Sequence, residues 1–188
     1  MNEISMKLGV SLDAVVSFFR KHKIIRRTQS QAQKIHFEKS VPSFTKNKLS
    51  SNSLKELAVI GAMLYWGEGY KGTTRLPANI VDFANSDPAM VMIFLKFLRS
   101  VYNLDEKKFR IFLYYYSDQD IRTLISFWSK ATNIPKAQFT KPYVRNDFNV
   151  KSNKMVHGLV HIRYGDKKLL LDIKSMIDYY VQKYAPVV

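Results

Sequence analysis

At 188 residues and 46% hydrophobic content the chain is long enough for one medium domain with a core of its own and a small appendage. Thirty Lys and Arg against fifteen Asp and Glu leave +15, a balance that favours a polyanionic partner and, with 11 Tyr and 12 Phe, points to nucleic acid; a merely basic, soluble protein is the alternative. The absence of cysteine excludes disulfides and thiolate zinc sites, while the lack of a leader-like start or an apolar run of membrane length predicts a cytoplasmic protein with no membrane partner.

In chain order, residues 3–24 predict two short helices joined at Gly9-Val10-Ser11, with Gly9 suited to a left-handed turn and Ser11 to an N-cap. Ile4 and Leu8 form one apolar face, and Val15, Phe18 and Phe19 the next. This is a helix-turn-helix pattern, whose second helix would enter the major groove; a plain helical hairpin is the alternative. Arg20, Lys21, Lys23, Arg26 and Arg27 crowd its end, either as a solvated face or as phosphate contacts to DNA. Up to Asn52, ten Lys and Arg against three acids leave +7, almost half of the excess charge. A further short helix is predicted over 28–39. Residues 41–53, with Pro42 and four serines, read as a linker, giving segments of 1–40, 41–53 and 54–188.

The stretch 57–69, LAVIGAMLYWGEG, carries no charge over its first eleven residues and ends in Glu68 between Gly67 and Gly69. It predicts a helix buried all round, with Ala58, Gly61 and Ala62 letting another backbone come close. Strands are predicted over 71–75 and 79–85. A helix capped by Asp87 follows over 89–102, then a strand over 109–116. Ser117 and Asp120 resemble a capping box for a helix over 121–131, a simpler role for Asp118 and Asp120 than acid–base chemistry. Strands over 139–145 and 157–164 and an amphipathic helix over 166–184 complete an α+β domain.

Strand alternation groups His157, Leu159, His161 and Arg163 on one face, and does the same for Lys141, Tyr143 and Arg145 and for Arg110, Phe112, Tyr114 and Tyr116. Such a basic and aromatic face suits duplex DNA; a solvated face, or stacking on unpaired RNA or single strands, are the alternatives. On a strand, His157 and His161 stand too far apart to share a metal ion.

The helix ending in Glu68, followed by Asn85-Ser86-Asp87-Pro88, Ser117-Asp118-Gln119-Asp120, Phe127-Trp128, Ile134-Pro135 and Gln138-Phe139-Thr140-Lys141, resembles the LAGLIDADG homing-endonuclease superfamily, in particular a prokaryotic branch with a helix-turn-helix in front. The chain departs from the family in having Glu68 where Asp is usual and Met63 where a small residue is usual. The resemblance implies a saddle-shaped antiparallel sheet and a homodimer paired through residues 57–66. It also implies two Glu68 carboxylates holding Mg²⁺ for cleavage of double-stranded DNA, with Lys141 as the assisting basic residue. A non-cleaving transcriptional regulator of the same build and an RNA-splicing helper are the other readings.

Overall fold

The computed structural model describes residues 1–73, 78–145 and 155–185. The chain divides into two units, Met1–Val41 and Pro42–Val188.

The first unit contains three helices, α1 (Asn2–Leu8), α2 (Leu12–Lys21) and α3 (Gln29–Lys39). Gly9 closes α1 at φ 64°, and the Ser11 hydroxyl accepts from the Ala14 N–H to start α2. Thr28 and Gln31 cap α3 reciprocally. Val15 is the one buried side chain among these residues, whereas Leu8, Leu12, Phe18 and Ile25 are exposed. The expected two-helix start and third helix are present, but three short helices enclose almost no core.

The second unit opens with β1 (Phe44–Lys46) and α4 (Asn52–Glu68). There follow β2 (Val81–Asn85), α5 (Pro88–Val101), β3 (Tyr102–Leu104), β4 (Phe109–Tyr116), α6 (Ile121–Thr132), β5 (Tyr143–Arg145), β6 (Leu159–Tyr164) and α7 (Lys167–Tyr184). β1 pairs antiparallel with β3, and a second sheet runs in the order β2-β6-β4-β5, antiparallel except for β4 with β5. The expectation of a mixed α+β domain holds in this coarse form. Among the described residues no helix is long and apolar enough to cross a membrane.

Alternation along the central strands decides where the core lies. Val81, Phe83, Ile111, Leu113, Val160, Ile162 and Tyr164 all point to one side and are buried. Phe94 of α5 stacks on Phe83 at 4.2 Å between ring centroids, and Tyr65 of α4 stacks on Phe94 at 5.8 Å. Leu169, Leu170 and Ile173 bring α7 into the same cluster.

Several expectations need correction. The apolar run of α4 is not buried all round: Ala58, Gly61, Ala62 and Tyr65 face the core, while Ile60 and Trp66 on the other side stand 40% and 47% exposed. The small residues admit a neighbour, but it is a side chain of the same protein. A methyl group on Gly61 would fall 1.9 Å from Cγ of Phe97 in α5.

Residues 42–53 are no linker either. Phe44 lies in a strand and packs edge-on against Tyr102 at 5.4 Å. The Ser43 N–H and hydroxyl both donate to Asp166 Oδ2 at 2.7 Å. Lys46 reaches Asp172 at 2.8 Å, and the same oxygen accepts from the Tyr102 hydroxyl at 2.7 Å. Burial, with Asp172 alongside, holds the Tyr102 phenol far above its ordinary titration range. A serine-rich composition suggested a tether, and tertiary pairing overrode it.

Helix α6 is capped by Asp120, whose carboxylate accepts from the Arg122 and Thr123 N–H groups, rather than by Ser117. These bonds, first among them that from the Thr123 hydroxyl, hold the Asp120 carboxyl below its usual range. Asp87 caps α5 as expected. The strand expected over 71–75 is not formed by residues 71–73, and residues 74–77 lie outside the described residues.

Candidate nucleic-acid interface

The side of the β2-β6-β4-β5 sheet away from the core is built by the other half of the same alternation. Cross-strand register sets Asp82 opposite Arg163 and Arg163 opposite Arg110. It also sets Ala84 opposite His161 and His161 opposite Phe112. Toward the β5 edge, Leu159 lies opposite Tyr114, Tyr114 opposite Tyr143, and Tyr116 opposite Arg145. The structure thus brings Arg110, Tyr143, Arg145, His161 and Arg163 onto one face, together with Phe112 and Tyr114.

Side-chain contacts fix most of this surface. Tyr114 meets Tyr143 edge-on at 5.3 Å and the His161 ring at 5.2 Å; Phe112 meets His161 at 5.9 Å. The Arg145 guanidinium lies 5.8 Å from the Tyr116 ring. Arg110 turns back along its own strand, donating from Nη1 to the carbonyls of Lys107 and Phe109 at 2.7 Å, so its charge stays on the surface while part of its fork is occupied.

The most constrained group on the face was absent from the sequence-based set. Asp82 is 7% exposed, and each of its carboxylate oxygens has a partner: Nδ1 of His161 at 2.8 Å on Oδ1, and Nε of Arg163 at 2.8 Å on Oδ2. A carboxylate so buried is tolerable because both oxygens are paired. Its signal in the sequence is a lone acid among the apolar residues of Val81-Asp82-Phe83-Ala84.

Beside this cluster runs a groove of about 630 Å³ lined by Glu68, Gly69, Tyr70, Ile80, Asp82, Ala84, His161 and Arg163. Gly69 enters it by a close approach, since a Cβ there would fall 2.5 Å from the Tyr65 carbonyl oxygen. Gly69 then bridges to Phe83, and the Tyr70 N–H donates to the Asp82 carbonyl at 2.8 Å, which sews the end of α4 to β2. The buried Tyr65 hydroxyl donates to the Tyr70 carbonyl at 3.0 Å, and burial above all pushes this phenol up to about 12. Glu68 is thereby carried into the groove on the last residue of α4, exposed.

Other expected site residues lie elsewhere. Lys141 is exposed and precedes β5, at the opposite edge of the sheet from β2 and Glu68. At about 4.8 Å per strand the three steps from β2 to β5 already amount to roughly 14 Å, so one chain does not bring Lys141 and Glu68 together. His157 is not on a strand: it sits in the turn before β6, stacks on Phe127 of α6 at 3.7 Å, and accepts the Trp128 indole N–H on its carbonyl. That corrects its placement on the basic face. Arg20, Lys21, Lys23, Arg26 and Arg27 are all exposed in the first unit.

The residues present do not by themselves fit a Mg²⁺ ion. Glu68 stands at the negative end of α4, which favours a cation, but the second carboxylate of the groove, Asp82, has both oxygens engaged. Among the described residues no group of three or more His, Asp or Glu is placed to hold a metal. Compared with protein-family models, curated proteins and solved structures, the chain matches none.

Proposed function

We propose that this chain binds double-stranded DNA, with the outer face of the β2-β6-β4-β5 sheet laid on the duplex. The observation that carries this reading is the segregation of the sheet: one side buries Val81, Phe83, Ile111, Leu113, Val160 and Ile162, the other bears Arg163, His161, Arg145, Arg110 and Tyr143. Guanidinium and phenol groups on a strand-built surface supply donors to phosphates and base edges. The exposed cluster Arg20, Lys21, Lys23, Arg26 and Arg27 adds phosphate contacts from the first unit, in keeping with a helix-turn-helix role.

Titrating labelled duplex with the protein by fluorescence anisotropy at several salt concentrations tests the reading. Each phosphate neutralised contributes about −0.9 to the slope of log K against log salt, so several contacts give a slope of about −3 or steeper. A flat response, or tighter binding to single strands than to duplex, sinks it.

Cleavage is the further activity implied by the LAGLIDADG resemblance. Because among the described residues one chain offers a single uncommitted carboxylate in the groove, cleavage with Mg²⁺ requires the Glu68 of a second copy, and the exposed side of α4 at Ile60 and Trp66 is the surface through which copies would pair. The engagement of both Asp82 oxygens favours the second reading, a regulator that binds without cutting. Incubating a randomised duplex library with Mg²⁺ separates the two: nicking by the wild type that Glu68→Gln abolishes supports the endonuclease, and binding without nicking supports the regulator.

A further inference from the structure

Arg163 is held more tightly than a phosphate contact requires. Its Nε donates to Asp82 Oδ2 at 2.8 Å, and its guanidinium carbon lies 4.9 Å from the Phe112 ring, so one edge and one face of the planar group are fixed. Among the described residues neither Nη has a hydrogen-bond partner, and the side chain keeps 34% of its exposure along the groove wall. What remains available is the outer end of the fork, two parallel N–H donors at a set angle.

The neighbour two residues away is fixed by the same carboxylate. A carboxylate only accepts, so the His161 nitrogen facing Asp82, Nδ1, carries a hydrogen, and in the neutral form of the ring this tautomer makes Nε2 an acceptor. Phe112 and Tyr114 hold the ring edge-on and tilted at 5.9 and 5.2 Å. A rigid pair of donors and a ring fixed by the same carboxylate are thus carried by residues two apart on one face of an extended strand, where the backbone repeat is about 6.5 Å.

We propose that Arg163 reads a guanine in the major groove, its two Nη groups donating to O6 and N7, with His161 accepting from the amino group of the paired cytosine. Asp82 and Phe112 are positioning residues that fix the fork before DNA arrives. The major-groove edge of a G·C pair presents two adjacent acceptors on guanine and one donor on cytosine, the complement of this arrangement. A preorganised fork loses little side-chain freedom on binding, which is where discrimination between bases is gained. This inference rests on the duplex-binding reading and adds to it a base preference.

The test is selection of bound duplexes from a randomised library by the full-length chain, followed by anisotropy on the selected site. The wild type should enrich a G·C pair at one position of the site. Arg163→Lys keeps the charge but not the fork; it should retain the salt slope within about one unit yet lose about 5- to 100-fold of discrimination at that position alone. Asp82→Asn, which preserves shape, should relax the same position while Arg163 is intact, a result a phosphate contact would not give. Urea denaturation of each variant confirms that its fold is retained. Enrichment of the same bases by wild type and Arg163→Lys overturns the inference and leaves duplex binding standing. Absence of salt-dependent duplex binding by the wild type removes both.

Discussion

The ring of Phe97 occupies the space that a side chain on Gly61 would need: a methyl group there would meet three ring carbons at 1.9 to 2.4 Å. Phe97 is fully buried, so the ring has no solvent side into which to swing. The close packing of α4 is thus satisfied inside one chain, and the consequence can be measured. Gly61→Ala should destabilise the second unit by about 1–3 kcal/mol through overpacking, in spite of the better helix propensity of alanine. Urea denaturation at 25 °C reads this directly, and Gly61→Ala combined with Phe97→Leu should recover part of the loss. An unchanged midpoint for Gly61→Ala would contradict the packing described.

The same geometry separates fold from pairing. Ala62 is fully buried among core side chains, so Ala62→Leu should unfold or loosen the domain at any protein concentration. Ile60 stands on the opposite side of α4, and Ile60→Lys should leave the unfolding free energy within about 0.5 kcal/mol of wild type. If copies pair through that side, light scattering coupled to size exclusion should show a dimer for wild type and a monomer for Ile60→Lys. A wild type that stays monomeric at high concentration removes the pairing model and with it the shared-Glu68 route to cleavage.

A protein beginning at Pro42 should fold by itself, whereas one beginning at Ser53 should not. The shorter chain loses β1, the edge contact of Phe44 on Tyr102, and both Ser43 bonds to Asp166. It also begins inside α4, past the Ser51 hydroxyl that caps it. Circular dichroism and cooperative thermal unfolding of the two truncations distinguish the outcomes; a cooperative transition in the protein from Ser53 would refute the structural role of this stretch.

Asp166 should confer acid-sensitive stability. Burial alone would raise its carboxyl, but bonds from the Ser43 N–H and hydroxyl and from the Leu169 and Lys168 N–H groups outweigh it and hold the group below its usual range. A folded-state value below the unfolded one means stability fully present above the unfolded value, near 4, and lost as pH falls through the folded value. Asp166→Asn keeps an acceptor for the Lys168 and Leu169 N–H groups but loses the one that takes both Ser43 donors, and should therefore cost about 1–2 kcal/mol at neutral pH. The gap to wild type should shrink in denaturation curves taken below about pH 4. A gap that stays constant from pH 7 to pH 3 would rule out this linkage.

What was legible in the sequence followed from short-range rules. Period-two alternation set His161 and Arg163 on one face of their strand, and the structure buries Val160, Ile162 and Tyr164 on the other, because a strand has no other way to arrange them. Caps at Ser11 and Asp87 were readable for the same reason: their chemistry is confined to one helical turn. Three-dimensional pairing was not readable. Nothing local in Ser43-Phe44-Thr45-Lys46 announces a partner some sixty residues away in β3. The buried side of α4 depends on where Phe97 comes to rest. Asp82 gained its meaning only when register set it across from Arg163, and His157 lost its place on the basic face because the chain turns one residue before the strand begins.

The sheet order β2-β6-β4-β5 also constrains how the protein can be made. The strand between β2 and β4 comes later in the chain than either, so as synthesis proceeds β2 has no sheet partner and β4 has only the short β5 until residues 159–164 emerge. Sheet assembly must therefore follow nearly all of translation of this domain, and closing pairs as distant as Val81 with Tyr164 makes it slow. In the interval the backbone N–H and C=O groups of β2 that later pair with β6 stand open, a strand edge of the kind that invites pairing with another chain.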